Sequence, residues 1–559
     1  MKHTYLAQAA SSSHLQASGK KLVIIGGGFA GIYTLKHALE AGLDAIVIEK
    51  SSQIGGQWVY DPNKLGGVNQ DTETVSSKLY MSPTDFPMPK TYPDFPSADQ
   101  VLEHLQNYVH HFKLQPYIRY NTTIKHLSRT SENWKVQTDQ ETMAADFVVV
   151  ATGMNAVPRI PDLPQLRDFQ NPMMHSSQFK HLDLKALQGK NVLIVGGSDT
   201  ASDIAEKLKD HSHVYVSMRN GAWFQPKYLK YYNFAQLDPT ADHTPADMVV
   251  NQFLLTMVKW WGHDLPEKMG FVKRFEKMMG KSGSGIPEWE SEDKYFGSVW
   301  TKSPALLDAV REGKVIPKRG ILSATAQEIC FEGEDSTPVH FDLIILCTGY
   351  RHQPNFPIDA PQGQRYKLVF DSQDPSLAWV GYVRPYVTGV PMIAELQSRW
   401  VAAAFSGQCT LPEPEQMERE IILDQQAHQQ RFPGRPEFLV DPYQYMEFVA
   451  QQFGQKPGYM KILWAQPLLF MDLMFNTWTH YQYRLLDQDP QKRELAEEQI
   501  KQLRQGPIRD LLYSETYRTM RSLAPTPLRR FIRRWDRYLL QTLFGLHVGR
   551  ETHADPHTD

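Results

Sequence analysis

The chain has 559 residues, of which 41% are hydrophobic and 22% charged, so it is a folded protein too long for one hydrophobic core. Its 59 Lys and Arg residues nearly balance 62 Asp and Glu residues, and a net charge of -3 gives no overall field that would attract nucleic acid. The cysteines Cys330, Cys347 and Cys409 form no C-x-x-C pair, which excludes a disulfide framework, a cysteine zinc cluster and a dithiol reductase centre. No metal-site spacing is present, and a reducing cytoplasm fits best.

The N-terminal segment, residues 1–19, is rich in Ser, Ala, Gln and His and lacks the apolar stretch of a secretory signal. We expect a flexible tail there, with folded sequence starting near Lys20. Further along, short apolar runs alternate with helical patterns, which predicts an α/β fold with parallel sheets. No apolar stretch is long enough to predict a membrane-spanning helix.

Three glycines follow the first predicted strand, residues 21–26, and open a helix in the pattern Gly26-x-Gly28-x-x-Gly31. The first glycine makes a tight turn, the second lets the backbone approach a pyrophosphate, and the third allows close helix packing. Glu49 follows the next strand, where a carboxylate accepts hydrogen bonds from ribose hydroxyls. The motif predicts a dinucleotide site with its phosphates at the helix N-terminus.

A second strand, turn and helix starts near residue 191 and repeats the first unit at an offset of 170 residues. Its loop keeps Gly196 but carries Ser198 and Ala201 where the second and third glycines would be, with Thr200 between them. Alanine is tolerated at the third position, whereas the Cβ of Ser198 reduces the approach of a pyrophosphate. We therefore predict a second dinucleotide site at Gly196, Ser198, Thr200 and Ala201, with weaker or shifted binding.

The residue at the ribose position differs between the two units. Glu49 lies 23 residues after Gly26, and the same offset from Gly196 leads to Arg219. A guanidinium pairs with a 2′-phosphate, which a carboxylate would repel, and Ser217 can add a hydroxyl donor. The second site is thus predicted to prefer NADPH; the alternative is a solvated arginine after an edge strand.

Several further motifs occur in a fixed order along the chain. They are Gly55-Gly56-Gln57-Trp58, the segment 169–179 from Phe169 to Phe179, which contains Asn171 and His175, Ser217-Met218-Arg219-Asn220-Gly221-Ala222-Trp223, Glu395-Leu396-Gln397-Ser398-Arg399-Trp400 and Tyr481-Gln482-Tyr483-Arg484-Leu485. Together they resemble the motifs of the flavin-containing monooxygenases over about residues 21–487. Asn171 replaces a glycine of that family's identifying signature, and Phe179 at its end favours the branch that oxygenates nitrogen and sulfur.

The resemblance implies an α/β fold with two Rossmann-like dinucleotide-binding domains, one for FAD and one for NADPH, and a helical C-terminal extension. It places Gly56, Gln57, Trp58 and Gln397 at the cofactors. The expected divisions are residues 20–155 and 336–460 for FAD, 156–335 for NADPH with an insertion at about 225–300, and 461–559 for the extension.

The implied reaction starts with reduction of FAD by NADPH, after which oxygen adds to form a flavin hydroperoxide. This species oxygenates a small lipophilic amine or sulfide, and the cofactor carries the chemistry. Baeyer–Villiger oxygenation of a ketone and an NADPH oxidase that releases hydrogen peroxide are the alternatives, together with an electron-transfer reductase. A non-enzymatic binding role would require that the protein purify colourless, that is, without flavin.

The family's T-N-x-S-K segment beside the flavin reads Thr74-Val75-Ser76-Ser77-Lys78 in this chain. Val75 replaces the asparagine and cannot donate a hydrogen bond to bound oxygen. We predict a shorter-lived oxygenating species or a substrate range shifted toward carbonyls. Ser76 or the cosubstrate amide is the alternative source of the missing contact, so Val75 and Ser76 are the catalytic candidates.

The C-terminal stretch 527–547 combines apolar residues at helical spacing with five arginines, Arg529, Arg530, Arg533, Arg534 and Arg537. This pattern predicts a basic amphipathic helix. Such a helix can lie peripherally on an anionic membrane, or it can dock on the protein's own surface or on a second subunit in a homodimer. The sequence leaves these alternatives open.

Overall fold

The computed structural model describes residues 19–225, 227–229, 244–248, 250, 252, 255, 256, 259, 284–291, 300–302, 304–333, 337–360 and 363–503. The predicted tail before Gly19, most of the predicted insertion and the predicted amphipathic helix 527–547 lie outside these residues. Within the described part, no helix is both long and apolar enough to cross a bilayer.

The first large sheet has seven strands and carries the first glycine motif. In spatial order its strands are Arg365–Tyr366, Phe370–Asp371, Leu377–Trp379, Phe147–Val150, Lys21–Ile25, Asp44–Ile48 and Ile118–Arg119. The strand Lys21–Ile25 pairs in parallel with a neighbour on each side, and every residue after Lys21 is buried. The run of Val, Ile and Leu in these strands follows from burial on both faces.

The second large sheet has five strands, all paired in parallel, and carries the second motif. Its strands in spatial order are Val315–Lys318, His213–Ser217, Asn191–Val195, Leu343–Leu346 and Met173–His175. The first sheet therefore takes strands from two separate stretches of the chain, and the second sheet is formed by the stretch between them. This is the α/β fold expected from the sequence.

Smaller sheets and bridges complete the strand set. They are Ile358–Asp359 with Ile124–Arg129, Trp134–Thr138 and Thr142–Ala145; Ile321–Ala324 with Glu328–Phe331 and Val339–His340; and the pairs Val157–Pro158 with Tyr350–Arg351, Trp223–Phe224 with Trp300–Thr301, Tyr228–Leu229 with Thr244–Pro245, and Arg384–Pro385 with Leu439–Val440. The pair Val157–Pro158 with Tyr350–Arg351 joins the two connections between the large sheets, each of which follows a glycine at positive φ, Gly153 or Gly349.

The described α-helices are Phe29–Glu40, Lys78–Met81, Ala98–His111, Asp199–Leu208, Pro304–Arg311, Val390–Phe405, Pro414–Arg431, Pro442–Gln452, Tyr459–Ala465, Pro467–Phe475 and Pro490–Gln502. Helix Val390–Phe405 is buried over almost its whole length and packs along helix Phe29–Glu40. One hydrophobic core joins these helices to the first sheet, and a separate core lies within the second sheet and its helices.

Candidate functional site

The first glycine turn has the geometry that its motif predicts. Gly26 adopts φ 111°, donates its N–H to the carbonyl of Ile48 at 2.9 Å, and would place a Cβ 2.6 Å from the carbonyl oxygen of Ala151. A Cβ on Gly31 would overlap the carbonyl oxygen of Gly26. These two glycines are therefore required by the fold itself, because only glycine permits this conformation and this packing.

Glu49 is buried beside the same turn. Its Oε2 accepts the N–H of Gly27 at 2.6 Å, and its Oε1 accepts the N–H of Ser51 at 2.8 Å. The carboxylate thus holds the glycine loop against the second strand. Each oxygen can accept more than one hydrogen bond, so contact with a ribose hydroxyl stays compatible with this arrangement.

The Gly55-Gly56-Gln57-Trp58 motif folds back onto the first glycine loop. Gly55 donates its N–H to the carbonyl of Gly27 at 2.9 Å, and a Cβ on Gly56 would lie 3.2 Å from the Cα of Gly28. Trp58 packs edge-on against Phe29 with ring centroids 6.5 Å apart. The side chain of Gln57 is exposed and accepts from Asn155 Nδ2 at 3.0 Å.

Helix Phe29–Glu40 begins at Gly28 without a side-chain cap, so its first N–H groups are free to bind an anion. Gly28 has extended backbone, and a Cβ there would find only Gly56 nearby, at 3.8 Å. Two glycines thus border a cradle at the helix N-terminus that a side chain would fill. The first site fits the pyrophosphate of FAD.

The second unit repeats this construction. Gly196 has φ 124°, donates its N–H to the carbonyl of Ser217 at 3.0 Å, and would place a Cβ 2.5 Å from the carbonyl oxygen of Cys347. Helix Asp199–Leu208 begins at Ser198, whose hydroxyl makes no capping bond. Ala201 is buried in the helix packing and Thr200 is exposed. This N-terminus also fits a pyrophosphate, with the Ser198 hydroxyl beside it.

Arg219 lies exposed just beyond the carboxyl end of strand His213–Ser217. Ser217 is buried, and its hydroxyl donates to the carbonyl of Arg319 at 2.6 Å, so it would have to exchange that bond to donate to a phosphate. Lys318 pairs with Ser217 on the neighbouring strand, which brings Lys318 and the exposed Arg319 to the same sheet edge as Arg219. Sequence spacing missed these two cations because they lie about 100 residues away and only the parallel register aligns them.

The segment at Val75 and Ser76 is held by a distant loop. Ser76 is buried, and its hydroxyl donates to the carbonyl of Thr388 at 2.8 Å. Thr388 itself has φ 76°, a conformation that a threonine rarely adopts. Val75 is 37% exposed. The hydroxyl hydrogen of Ser76 is therefore already donated to Thr388, and Val75 presents an apolar side chain.

Gln397 is fully buried, and both ends of its amide are bound within the protein. Its Oε1 accepts the N–H of Gly381 at 2.9 Å, and its Nε2 donates to the hydroxyl of Tyr445 at 2.6 Å. Gly381 has φ 80°, and a Cβ added to it would lie 3.1 Å from the Cβ of Ala30 in the first turn of helix Phe29–Glu40. Gln397 thus positions the loop that borders the first cradle.

Contacts between the two units converge on residues 61–71 and on the signature segment. Gly66 donates its N–H to the carbonyl of Ser177 at 2.8 Å, and Lys207 pairs with Asp71. Nε2 of His175 lies 2.9 Å from the carbonyl oxygen of Gly349. The signature histidine therefore fixes one of the two connections between the sheets.

Two of the resembling motifs meet, through Glu395 and Arg484, in a buried ionic cluster that also contains Lys36 and Asp85. Arg484 pairs with Glu395 at 2.7 Å and Asp85 at 3.1 Å, and Lys36 also pairs with Asp85. Burial alone would raise the pKa of both carboxyl groups, but the nearby cations outweigh it and lower both. His37 brings a third potential metal-ligand atom within 4.8 Å of these carboxylates, yet both are already paired with cations. Sequence reasoning noticed the motifs but not that they form one cluster.

The comparisons with known proteins agree with this geometry. The model of the family described as "Flavin-binding monooxygenase-like" matches residues 19–509. Human "Flavin-containing monooxygenase 2" is 28% identical over 498 residues, covering 84% of this chain and 89% of the relative. "Flavin-containing monooxygenase 5" of Cavia porcellus is 28% identical over 492 residues, covering 83% and 89%.

Two solved structures share the fold. S-allyl-L-cysteine S-oxygenase from Allium sativum aligns with a TM-score of 0.56 at 19% identity, covering 87% of this chain and 99% of that one. An open crystal structure of cyclohexanone monooxygenase aligns with a TM-score of 0.53 at 17% identity, covering 78% and 97%. With the glycine cradles, the motif order and the family match in agreement, the chain belongs to the flavin-binding monooxygenase-like family.

Proposed function

We propose that the protein is an NADPH- and oxygen-dependent monooxygenase of the N,N-dimethylaniline monooxygenase type, which inserts one oxygen atom into an amine nitrogen or a thioether sulfur. The observation that carries this proposal is the pair of uncapped helix N-termini, one at Gly28 and one at Ser198, on two units joined by direct contacts. Two bound dinucleotides are what hydride transfer from NADPH to FAD requires.

The cofactors supply the redox chemistry, since FAD accepts the hydride and activates oxygen when bound. The chain's own residues bind and orient. Gly28 and Gly56 admit the FAD pyrophosphate to the first helix N-terminus, and Gln397 holds the Gly381 loop beside it. Trp58 packs edge-on against Phe29 at the start of the same helix, so an aromatic pair borders this site.

Selectivity for NADPH is proposed for the edge that carries Arg219, Lys318 and Arg319. The cations lie at the carboxyl ends of two adjacent parallel strands, where open α/β sheets bind nucleotides. A 2′-phosphate there would gain charge-assisted hydrogen bonds that NADH cannot make. Arg319 also donates from Nη2 to the carbonyl of Pro287 at 2.9 Å, which leaves its other N–H groups for a phosphate.

Release of hydrogen peroxide is the second candidate outcome, and Val75 favours it. Its side chain cannot donate a hydrogen bond, and the neighbouring Ser76 already donates to Thr388. Baeyer–Villiger oxygenation remains the alternative for a carbonyl substrate. One experiment separates these reactions: NADPH consumption with a thioether, an amine and a ketone in turn, under ¹⁸O-labelled oxygen and with mass spectrometry of products.

A labelled N-oxide or sulfoxide supports the proposal, and a labelled ester from the ketone supports Baeyer–Villiger chemistry. If NADPH is consumed and hydrogen peroxide is released without any labelled organic product, both oxygenation reactions are contradicted and the protein is an NADPH oxidase.

For the predicted helix 527–547, which lies outside the described residues, docking on the protein's own surface stays our prediction, with a second subunit or an anionic membrane as the alternatives. The last described helix, Pro490–Gln502, packs against helix Pro467–Phe475, and the chain continues from there. Beside it Met460, Trp464 and Leu468 are 62%, 84% and 58% exposed, so large apolar side chains face solvent there.

Truncation after Thr526 tests this packing. Equal sedimentation of truncated and full-length protein with anionic liposomes, and increased binding of an apolar dye after truncation, are expected. Loss of liposome binding on truncation would show a peripheral membrane contact, and loss of a dimer in analytical ultracentrifugation would show a second subunit instead.

A cytoplasmic location is proposed because Cys330, Cys347 and Cys409 are free thiols, which a reducing compartment maintains.

A further inference from the structure

Two residues that follow the predicted insertion bind the loop of the second nucleotide motif. The hydroxyl of Thr301 donates to the carbonyl of Gly197 at 2.6 Å, and the backbone N–H of Lys302 donates to Oδ1 of Asp199 at 3.0 Å. Thr301 and Lys302 are 4% and 5% exposed, so both bonds are shielded from water. A shift of the loop that receives the second dinucleotide would therefore also move Thr301 and Lys302.

The side chain of Lys302 leads away from that loop toward the flavin-side segment. Its Nζ lies 3.8 Å from Oδ2 of Asp247, which is 1% exposed. The same Oδ2 accepts the backbone N–H of Ser77 at 2.7 Å. Ser77 is two residues beyond Val75 and precedes helix Lys78–Met81, so Asp247 fixes the end of the Thr74–Lys78 segment.

Stability alone does not account for this arrangement. A buried ion pair usually costs as much in desolvation as it gains in attraction. Within the described residues, Oδ1 of Asp247 and the hydroxyls of Ser77 and Thr74 are buried without a hydrogen-bond partner. Unsatisfied buried groups carry an energetic cost, and their concentration beside a proposed active site indicates a role in positioning.

We propose that Asp247 and Lys302 form a positioning bridge, which couples occupancy of the NADP(H) site to the geometry of the Thr74–Lys78 segment. One end of the bridge is held by Gly197 and Asp199, and the other end holds Ser77. Binding of the second nucleotide thereby restrains the residues around Val75. Coupling between two sites is reciprocal, so the restraint also strengthens nucleotide binding. The inference rests on the proposed function for the identity of the nucleotide.

The test is titration of the full-length, FAD-loaded protein with NADP+ in the absence of NADPH and substrate. The flavin absorbance difference spectrum and the melting temperature are followed for the wild type and for Lys302→Met. We expect the NADP+ dissociation constant to rise about 10-fold. The difference spectrum at saturation should also shrink, which a purely structural loss would not cause. Lys302→Arg should restore the amplitude.

Arg431→Met is the matched control. It removes a largely buried ion pair with Asp441, at 2.5 Å, which belongs to helix Pro414–Arg431 and to neither nucleotide loop. It should lower the melting temperature and leave the NADP+ titration unchanged.

A full difference spectrum with a dissociation constant within about two-fold of wild type for Lys302→Met would overturn the bridge. Should that variant fail to retain FAD, Asp247→Asn replaces it, since an asparagine keeps the size of the side chain and an acceptor for Ser77. An unchanged titration of Asp247→Asn overturns the bridge equally. Failure of the proposed function is distinguishable, because it appears in the labelled-oxygen products and not in this titration.

Discussion

Arg484 and Glu395 are 89 residues apart in the chain, and in the protein interior Nη2 of the arginine lies 2.7 Å from Oε1 of the glutamate. Each comes from a different motif, and the adjacent residues Thr84 and Asp85 also bond to the same guanidinium. The cluster therefore ties the helix that borders the first nucleotide cradle to the C-terminal helices.

Removal of the arginine should destabilise the fold strongly. Arg484→Met leaves Glu395 buried without its main cation, which we expect to cost about 3–5 kcal/mol in the free energy of unfolding. Arg129→Met, which breaks a more exposed pair with Asp374, is the control and should cost less than about 2 kcal/mol. Urea denaturation measures both, and equal losses would argue against a special role for the cluster.

Acid should destabilise the protein in two separate pH windows. Burial lowers the pKa of His480 to about 4, while the unfolded value is about 6.5. Between these values the unfolded chain binds more protons, so the free energy of unfolding falls as pH drops from about 6.5 toward 4, by up to about 3 kcal/mol for this residue. The lowered pKa of Glu395 and Asp85 adds a loss only below about pH 4.

Urea denaturation across these windows measures the effect. His480→Gln should make the decline between pH about 6.5 and 4 shallower and leave the decline below it. Part of the upper decline should persist, because burial also lowers the pKa of His104 and His352 to about 4. An unchanged slope in the upper window would show that other groups cause it.

Arg219→Glu should reverse the preference for the phosphorylated nucleotide. Loss of a charge-assisted contact, with a repelling carboxylate in its place, should reduce the ratio of kcat/KM for NADPH to that for NADH by about 10- to 100-fold. Arg311→Glu changes an exposed arginine of the same unit and should leave the ratio unaltered. If the ratio of kcat/KM for NADPH to that for NADH stays constant in Arg219→Glu, Arg219 is a solvated residue that does not contact the nucleotide.

Val75→Asn should lower the peroxide released per NADPH consumed. The amide can donate a hydrogen bond that valine lacks, and one such bond corresponds to about a five-fold change. Val75→Ala, which adds no donor, is the control. The same peroxide yield in all three proteins would show that the cosubstrate or another group already provides the contact.

Two glycine substitutions should separate folding from cofactor binding. Gly31→Ala places a methyl group on the carbonyl oxygen of Gly26 and should destabilise the whole domain. Gly28→Ala fits the backbone with its nearest contact at 3.8 Å, so the apoprotein should melt normally while FAD binding weakens. Flavin content after purification and the melting temperature of the apoprotein measure the two effects. Normal FAD binding by Gly28→Ala would place the pyrophosphate elsewhere.

Local chemistry in the sequence determined the two strand–turn–helix units, because glycine at a tight turn, apolar strands and an acid or cation at the ribose position are all encoded within about 25 residues. It also determined the family, through motifs that need no knowledge of contacts.

Only the tertiary structure decided which distant residues meet. The parallel register brings Lys318 and Arg319 beside Arg219, the helix packing gathers Lys36, Asp85, Glu395 and Arg484, and the folded chain links Ser77 to Asp247 and Lys302. Partners separated by about 50 to 400 residues leave no periodic signal in one sequence, since their approach depends on sheet order and packing rather than on local preference.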